Sequence, residues 1–209
     1  MRLLLAVLLV SILGAGALYA QTDGFAILTT EAARRADVAR HPRALPQAVL
    51  LTSSGQAVPL AQALRDDGRV AIVNFMYTRC FSICLAMGSE FQQLQEAIRR
   101  QGLADRVRII SLSFDPADTP DDLARYAARM RAEPGIWRFA AIADADQRQQ
   151  LLDAFGIVVV PAPMGQYEHN AAYHVVTADG RLARIVDIGD AAGLLDYVSA
   201  AASAPRAAQ

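Results

Sequence analysis

The sequence predicts an α/β fold, with a central mixed sheet flanked by helices and an N-terminal hairpin extension. Three observations carry this. Val70–Met76 (VAIVNFM) and Val107–Phe114 (VRIISLSF) are apolar runs of strand length, the pattern of strands buried on both faces. Segments with helical periodicity separate and follow them, so strands and helices alternate. Near the C-terminus, Ala172–Thr177 and Leu182–Asp187 flank the turn Ala178-Asp179-Gly180-Arg181, which adds an antiparallel pair.

In chain order, Val49–Thr52 and Ala57–Leu60 around Ser53-Ser54-Gly55 read as the N-terminal hairpin. The strand at 70–76 leads straight into the cysteine segment. A helix follows from Ser89 to Arg100, with Phe91, Leu94 and Ile98 on one face and Gly102 as its stop. After the strand at 107–114, Thr119 as N-cap and Pro120 at the first helical position start a helix that runs to about Arg131. Ile136–Ile142 is a short strand candidate, and Asp144 to Phe155 a helix ended by Gly156. Pro161 to Asn170 reads as a loop, and Ala192–Ala202 as the last helix. Parallel central strands, a cysteine motif closing the first βα unit and a final ββα make this a thioredoxin-like arrangement.

The chain has 209 residues, 54% apolar and 20% charged, which places it among globular proteins. Its formal net charge of −1 gives no electrostatic footprint for nucleic acid. Arg2 followed by the uncharged run Leu3–Ala20 is expected to be a signal peptide or a retained N-terminal membrane anchor. Either one places the remainder outside the cytoplasm, where disulfides are permitted. The expected divisions are residues 1–20 as this targeting element, 21–47 as a lead-in segment, 48–202 as one thioredoxin-like domain and 203–209 as a flexible tail.

The two cysteines, Cys80 and Cys84, stand four apart where a central strand gives way to a helix. On a helical turn that spacing brings both to one face, and the helix N-terminus lowers thiol pKa values. Two such thiolates can hold Cu(I) or Zn(II), or close as a disulfide. Of the three histidines, His41 reads as a surface residue and His174 as a packed strand residue. His169 precedes the C-terminal hairpin, where redox enzymes of this arrangement carry a cis-proline, and it is the candidate third ligand.

Three segments resemble the Sco/SenC family of copper chaperones. They are Val73-Asn74-Phe75-Met76-Tyr77-Thr78-Arg79-Cys80 with Cys84; Ser113-Phe114-Asp115-Pro116 with Asp118-Thr119-Pro120; and His169 followed by Gly180. The resemblance implies a thioredoxin-like fold that binds one copper ion through Cys80, Cys84 and His169. It also implies delivery to a copper-accepting client such as a cytochrome oxidase subunit, on the periplasmic side of the inner membrane. Oxidation of the cysteines would call for a thiol reductant as a further partner. The chain departs from the family's pattern at Phe81 and Leu85, where proline is frequent, at Asn170 in place of Ser or Thr, and at His174.

Around this set, Asp115 has two readings, a carboxylate near the metal or the former of the turn before Pro116. Tyr77 either covers the site or packs in the core. Met164 either packs in its loop or lends a soft sulfur. The alternative function is a thiol–disulfide oxidoreductase acting on the cysteines of the same centre or of another exported client. A thiol peroxidase is disfavoured, because Thr78 and Arg79 precede the pair. A copper sensor or store without a client has the same sequence features.

Overall fold

The computed structural model describes residues 2–21, 29–80 and 83–203, with backbone alone for Arg2, Gln21 and residues 83–87. The chain divides into two compact units, Met1–His41 and Pro42–Gln209. In the first, α1 (Arg2–Gln21) contains an 18-residue stretch, Leu3–Ala20, long and apolar enough to cross a membrane. The second helix, α2 (Thr30–Arg40), starts at Thr29, whose hydroxyl accepts from the Ala32 N–H at 3.0 Å.

The second unit is built on one eight-stranded sheet. Its strands are β1 (Arg43–Ala44), β2 (Val49–Thr52), β3 (Ala57–Pro59), β4 (Val70–Met76), β5 (Val107–Ser113), β6 (Trp137–Ile142), β9 (Ala172–Val176) and β10 (Arg181–Asp187), in the order β1-β10-β9-β4-β5-β6-β2-β3. Only β4–β5 and β5–β6 are parallel pairs; the flanking pairs are antiparallel. Every residue of β4 and β5 is buried, as their apolar runs require. A separate pair, β7 (Val159–Ala162) and β8 (Gln166–His169), forms its own antiparallel hairpin.

Helices cover both faces. On one, α4 (Ile83–Arg100), α5 (Pro120–Arg129) and α7 (Ala191–Ser203) place Phe91, Leu94, Ile98, Leu123, Leu194 and Val198 against Ile72, Ile109, Phe139 and Val175. On the other, α6 (Ala145–Phe155) sets Phe155 edge-on to Phe75 at 5.0 Å between centroids. On that side too, the Ala63 carbonyl of α3 (Leu60–Asp67) accepts from the Arg108 guanidinium at 3.0 Å.

Three expectations need correction. Residues 60–67 form α3, where the sequence offers only Leu60 and Leu64 as its buried face and a strand seemed to end at Leu60. The cysteine-bearing helix α4 begins at Ile83 rather than Ser89. Gly88 lies inside it, where a Cβ would meet the Met130 sulfur at 2.5 Å. The stretch Pro161 to Asn170 is not a loop but most of the β7–β8 hairpin, turned by Pro163–Gly165 with Met164 and Gly165 both left-handed (φ 60° and 68°).

Candidate functional site

The candidate site lies at the C-terminal ends of β4 and β5. Buried Tyr77 follows β4 and fixes the neighbouring hairpin. Its hydroxyl lies 3.1 Å from Gln166 Oε1 and 3.2 Å from the Tyr167 carbonyl, and it accepts from the Tyr167 N–H at 3.2 Å. Tyr77 therefore does more than fill the core, since it ties β8 to the strand that carries the cysteine turn.

The turn itself is clasped by a buried carboxylate. Asp118 accepts from the Thr78 N–H at 2.8 Å, the Thr78 hydroxyl at 2.6 Å and the Ser113 hydroxyl at 2.5 Å. Arg129 of α5 donates to the Thr78 carbonyl at 3.3 Å. Asp115, 2% exposed, fills the turn role through the Ala117 N–H at 2.9 Å and also accepts from Arg79 at 2.7 Å. Asp118 was hidden in the sequence because Asp-Thr-Pro reads first as a helix start. Thr119 does perform that role, in a reciprocal capping box with Asp122.

Cys80, 8% exposed, follows this clasped turn and is disulfide-bonded. The Cys84 side chain and Phe81 lie outside the described residues, as does the tail beyond Ser203. Among the described residues no three His, Cys, Asp or Glu side chains group as a metal site.

His169 is the last residue of β8. Its ring stands edge-on to Phe114 at 5.0 Å and to Tyr77 at 6.4 Å, so it faces the same end of the sheet from which Cys80 emerges. Nδ1 lies 2.9 Å from the Asn170 carbonyl. A carbonyl only accepts, so Nδ1 carries the proton and the neutral ring keeps its lone pair on Nε2. That Nε2 is buried and has no hydrogen-bond partner among the described residues. Burial lowers the His169 pKa, and the hydrogen bond to Asn170 offsets only part of this, so the ring favours its neutral, ligand-competent form.

Within the same unit His174 stays apart from this end of the sheet. His174 is fully buried in β9 between the rings of Phe75 and Phe155, at 6.2 and 5.1 Å. The His41 side chain is exposed beside Asp37. Met164, 93% exposed, sits at the tip of the hairpin while His169 sits at its root, a strand length of about 13 Å by rise per residue. The structure does not bring these two together.

A model of the family described as SCO1/SenC matches residues 49–196. A SCO1 protein homolog of Bacillus subtilis (strain 168) is 30% identical over 118 residues, which make up 55% of this chain and 60% of the relative, so the match spans less than two thirds of that relative's length. Among solved structures, BsSco, described as a member of the Sco family of cytochrome c oxidase assembly proteins with a disulfide switch, superposes with a TM-score of 0.67 at 24% identity, over 79% of this chain and 96% of that one. ScoI of Bradyrhizobium japonicum with copper bound gives 0.60 at 22% identity, over 74% and 99%. These likenesses establish the thioredoxin-like fold. With the family match covering most of the folded unit, the chain belongs to the SCO1/SenC family.

Proposed function

We propose that this chain binds one copper ion through Cys80, Cys84 and His169 and delivers it to the copper centre of a respiratory oxidase. The observation that carries the reading is the His169 Nε2: a buried lone pair with no described partner, aimed by an Nδ1–H bond, at the end of the sheet where Cys80 emerges. A buried acceptor left unpaired costs free energy, and a metal ion removes that cost. Two thiolates and one imidazole suit Cu(I). Relatives solved with copper bound and a relative named for oxidase assembly support the choice of ion and client. The apolar α1 helix supports a place at the outer face of the inner membrane, either anchored or released after cleavage.

A second reading, thiol–disulfide exchange on the client's cysteines, is favoured by one observation: Cys80 is disulfide-bonded. In that state the pair offers no thiolates, so loading with copper follows reduction by a two-electron thiol reductant. The test is a Cu(I) titration of the reduced full-length chain against a competing chelator. One ion per chain is expected, with tight binding abolished in Cys80→Ser and weakened in His169→Ala. A His169→Ala variant that binds as wild type would remove His169 from the ligand set.

A further inference from the structure

We propose that Asn170 is the positioning residue for His169, holding the root of the hairpin that carries the imidazole and fixing which ring nitrogen bears the proton. Its functional meaning rests on the metal-binding reading above; the geometry stands without it.

Asn170 follows β8 directly and makes three hydrogen bonds to three different places. Its side-chain carbonyl accepts from the Val158 N–H at 2.7 Å, and its amide nitrogen donates to the Gly156 carbonyl at 2.9 Å. Its backbone carbonyl accepts from His169 Nδ1 at 2.9 Å. Gly156 is the left-handed cap (φ 67°) that ends α6, and Val158 immediately precedes β7. One side chain thus ties the exit of α6 and the entry to β7 to the exit of β8.

The chemistry requires an amide. A side-chain amide offers a donor and an acceptor side by side on one planar group; a carboxylate only accepts, a Ser hydroxyl has a shorter reach, and an imidazole sets its donor and acceptor on opposite sides of a ring. The hairpin needs such a root because it pairs with no strand of the main sheet, and a lone two-stranded ribbon is marginal. His169 sits at that root, opposite Val159. Phe114 and Tyr77 restrict the ring plane, but a half-turn of an imidazole exchanges Nδ1 with Cδ2 and Nε2 with Cε1 at nearly constant shape, so packing alone fixes neither where the nitrogens face nor which of them bears the proton. The Asn170 carbonyl makes that choice, placing the proton on Nδ1 and the lone pair on Nε2. Hydrogen-bond partners that orient metal-binding histidines change metal affinity by about 10–100-fold when lost.

The test uses the full-length chain, metal-free, with ring-labelled histidine, and reads tautomers from two-bond nitrogen–proton NMR correlations. The His169 signals are assigned by their absence in His169→Ala. Wild type is expected to carry its proton on Nδ1. Asn170→Ala keeps the backbone carbonyl but loses the two side-chain bonds that hold it in place, and is expected to show both tautomers and about 10-fold weaker copper binding with an unchanged thiol count. Asn170→Asp, which keeps the acceptor for Val158, should show a smaller change. A wild-type ring protonated on Nε2 would overturn the proposal, as would an Asn170→Ala variant that keeps a single Nδ1–H tautomer. Should the alanine variant fail to fold, the wild-type tautomer and the Asn170→Asp variant still decide. Should wild type bind no copper while the tautomers behave as expected, the metal reading fails and the positioning role stands.

Discussion

Thr78 donates both its backbone N–H and its hydroxyl to Asp118, at 2.8 and 2.6 Å, and so the turn that presents Cys80 hangs on a carboxylate forty residues away in sequence. The Asp118 carboxylate is 7% exposed as a residue and also accepts from Ser113 at the end of β5, which locks the ends of the two central strands together.

Asp118→Ala should therefore destabilise the fold and loosen the cysteine turn together. Three buried donors lose their acceptor, a cost of about 3 kcal/mol. At this chain size that corresponds to roughly 6–12 °C in Tm. Asp118→Asn retains one oxygen of the same shape and should lie between. A melting curve for Asp118→Ala within a degree of wild type would show that the clasp contributes little.

A second charged contact lies near the opposite end of the strands. Arg108, 2% exposed, pairs with Asp67 at 2.8 Å, and burial pushes its pKa down to about 10, so it remains charged at neutral pH. Burial alone would raise the Asp67 carboxyl, but the hydrogen bond from Arg69 and the Arg108 charge outweigh it, and the net shift is downward from 3.8. A depressed folded pKa stabilises the fold above the unfolded value, and that stabilisation is lost as pH falls through the folded value. Asp67→Asn should thus lower the urea midpoint at pH 6, with the deficit shrinking below pH 3.8. Removing the carboxylate leaves a buried guanidinium without its counter-charge, worth about 3–5 kcal/mol. A deficit that does not change across that range would contradict the assignment.

Where local chemistry and tertiary packing agree, the sequence is readable. The all-apolar run 70–76 is a wholly buried strand, Thr119-Pro120 opens a capped helix, and Gly156 closes one in the left-handed region. Where they disagree, it is not. Pro161 and Pro163 suppress a strand reading, yet the hairpin forms because Tyr77 and Asn170 hold it from outside. The eight-residue α3 carries too few apolar positions to show a helical period. At the candidate site, the sequence singles out His169 by its place before the C-terminal hairpin, and the structure sets its ring beside Phe114 and Tyr77. Asp118 and Asn170 were not, because their roles exist only through partners distant in sequence.

Copper retention should follow the redox state of the cysteine pair. The oxidised chain offers no thiolate at Cys80, so verified disulfide formation should release bound Cu(I), and treatment with a dithiol reductant should restore uptake of one ion per chain. Metal analysis after gel filtration of each form measures this directly. Full stoichiometry in the oxidised form would mean that the disulfide and the metal site are independent.

Delivery and reduction separate at His169. A reductase needs its cysteines free to attack and resolve a mixed disulfide, and the imidazole is not one of the reacting groups. A copper carrier needs the Nε2 lone pair that the structure leaves buried and without a described partner. His169→Ala removes that nitrogen and leaves both thiols, and among the described residues the ring contacts it gives up are those with Phe114 and Tyr77. In a strain lacking the native gene, scored by oxidase activity in low-copper medium, His169→Ala should rescue partially, and added copper should improve the rescue because mass action offsets the weaker site. Cys80→Ser should fail under both conditions. Full rescue by His169→Ala in low copper, alongside failure of Cys80→Ser, would assign the protein to thiol exchange and overturn delivery.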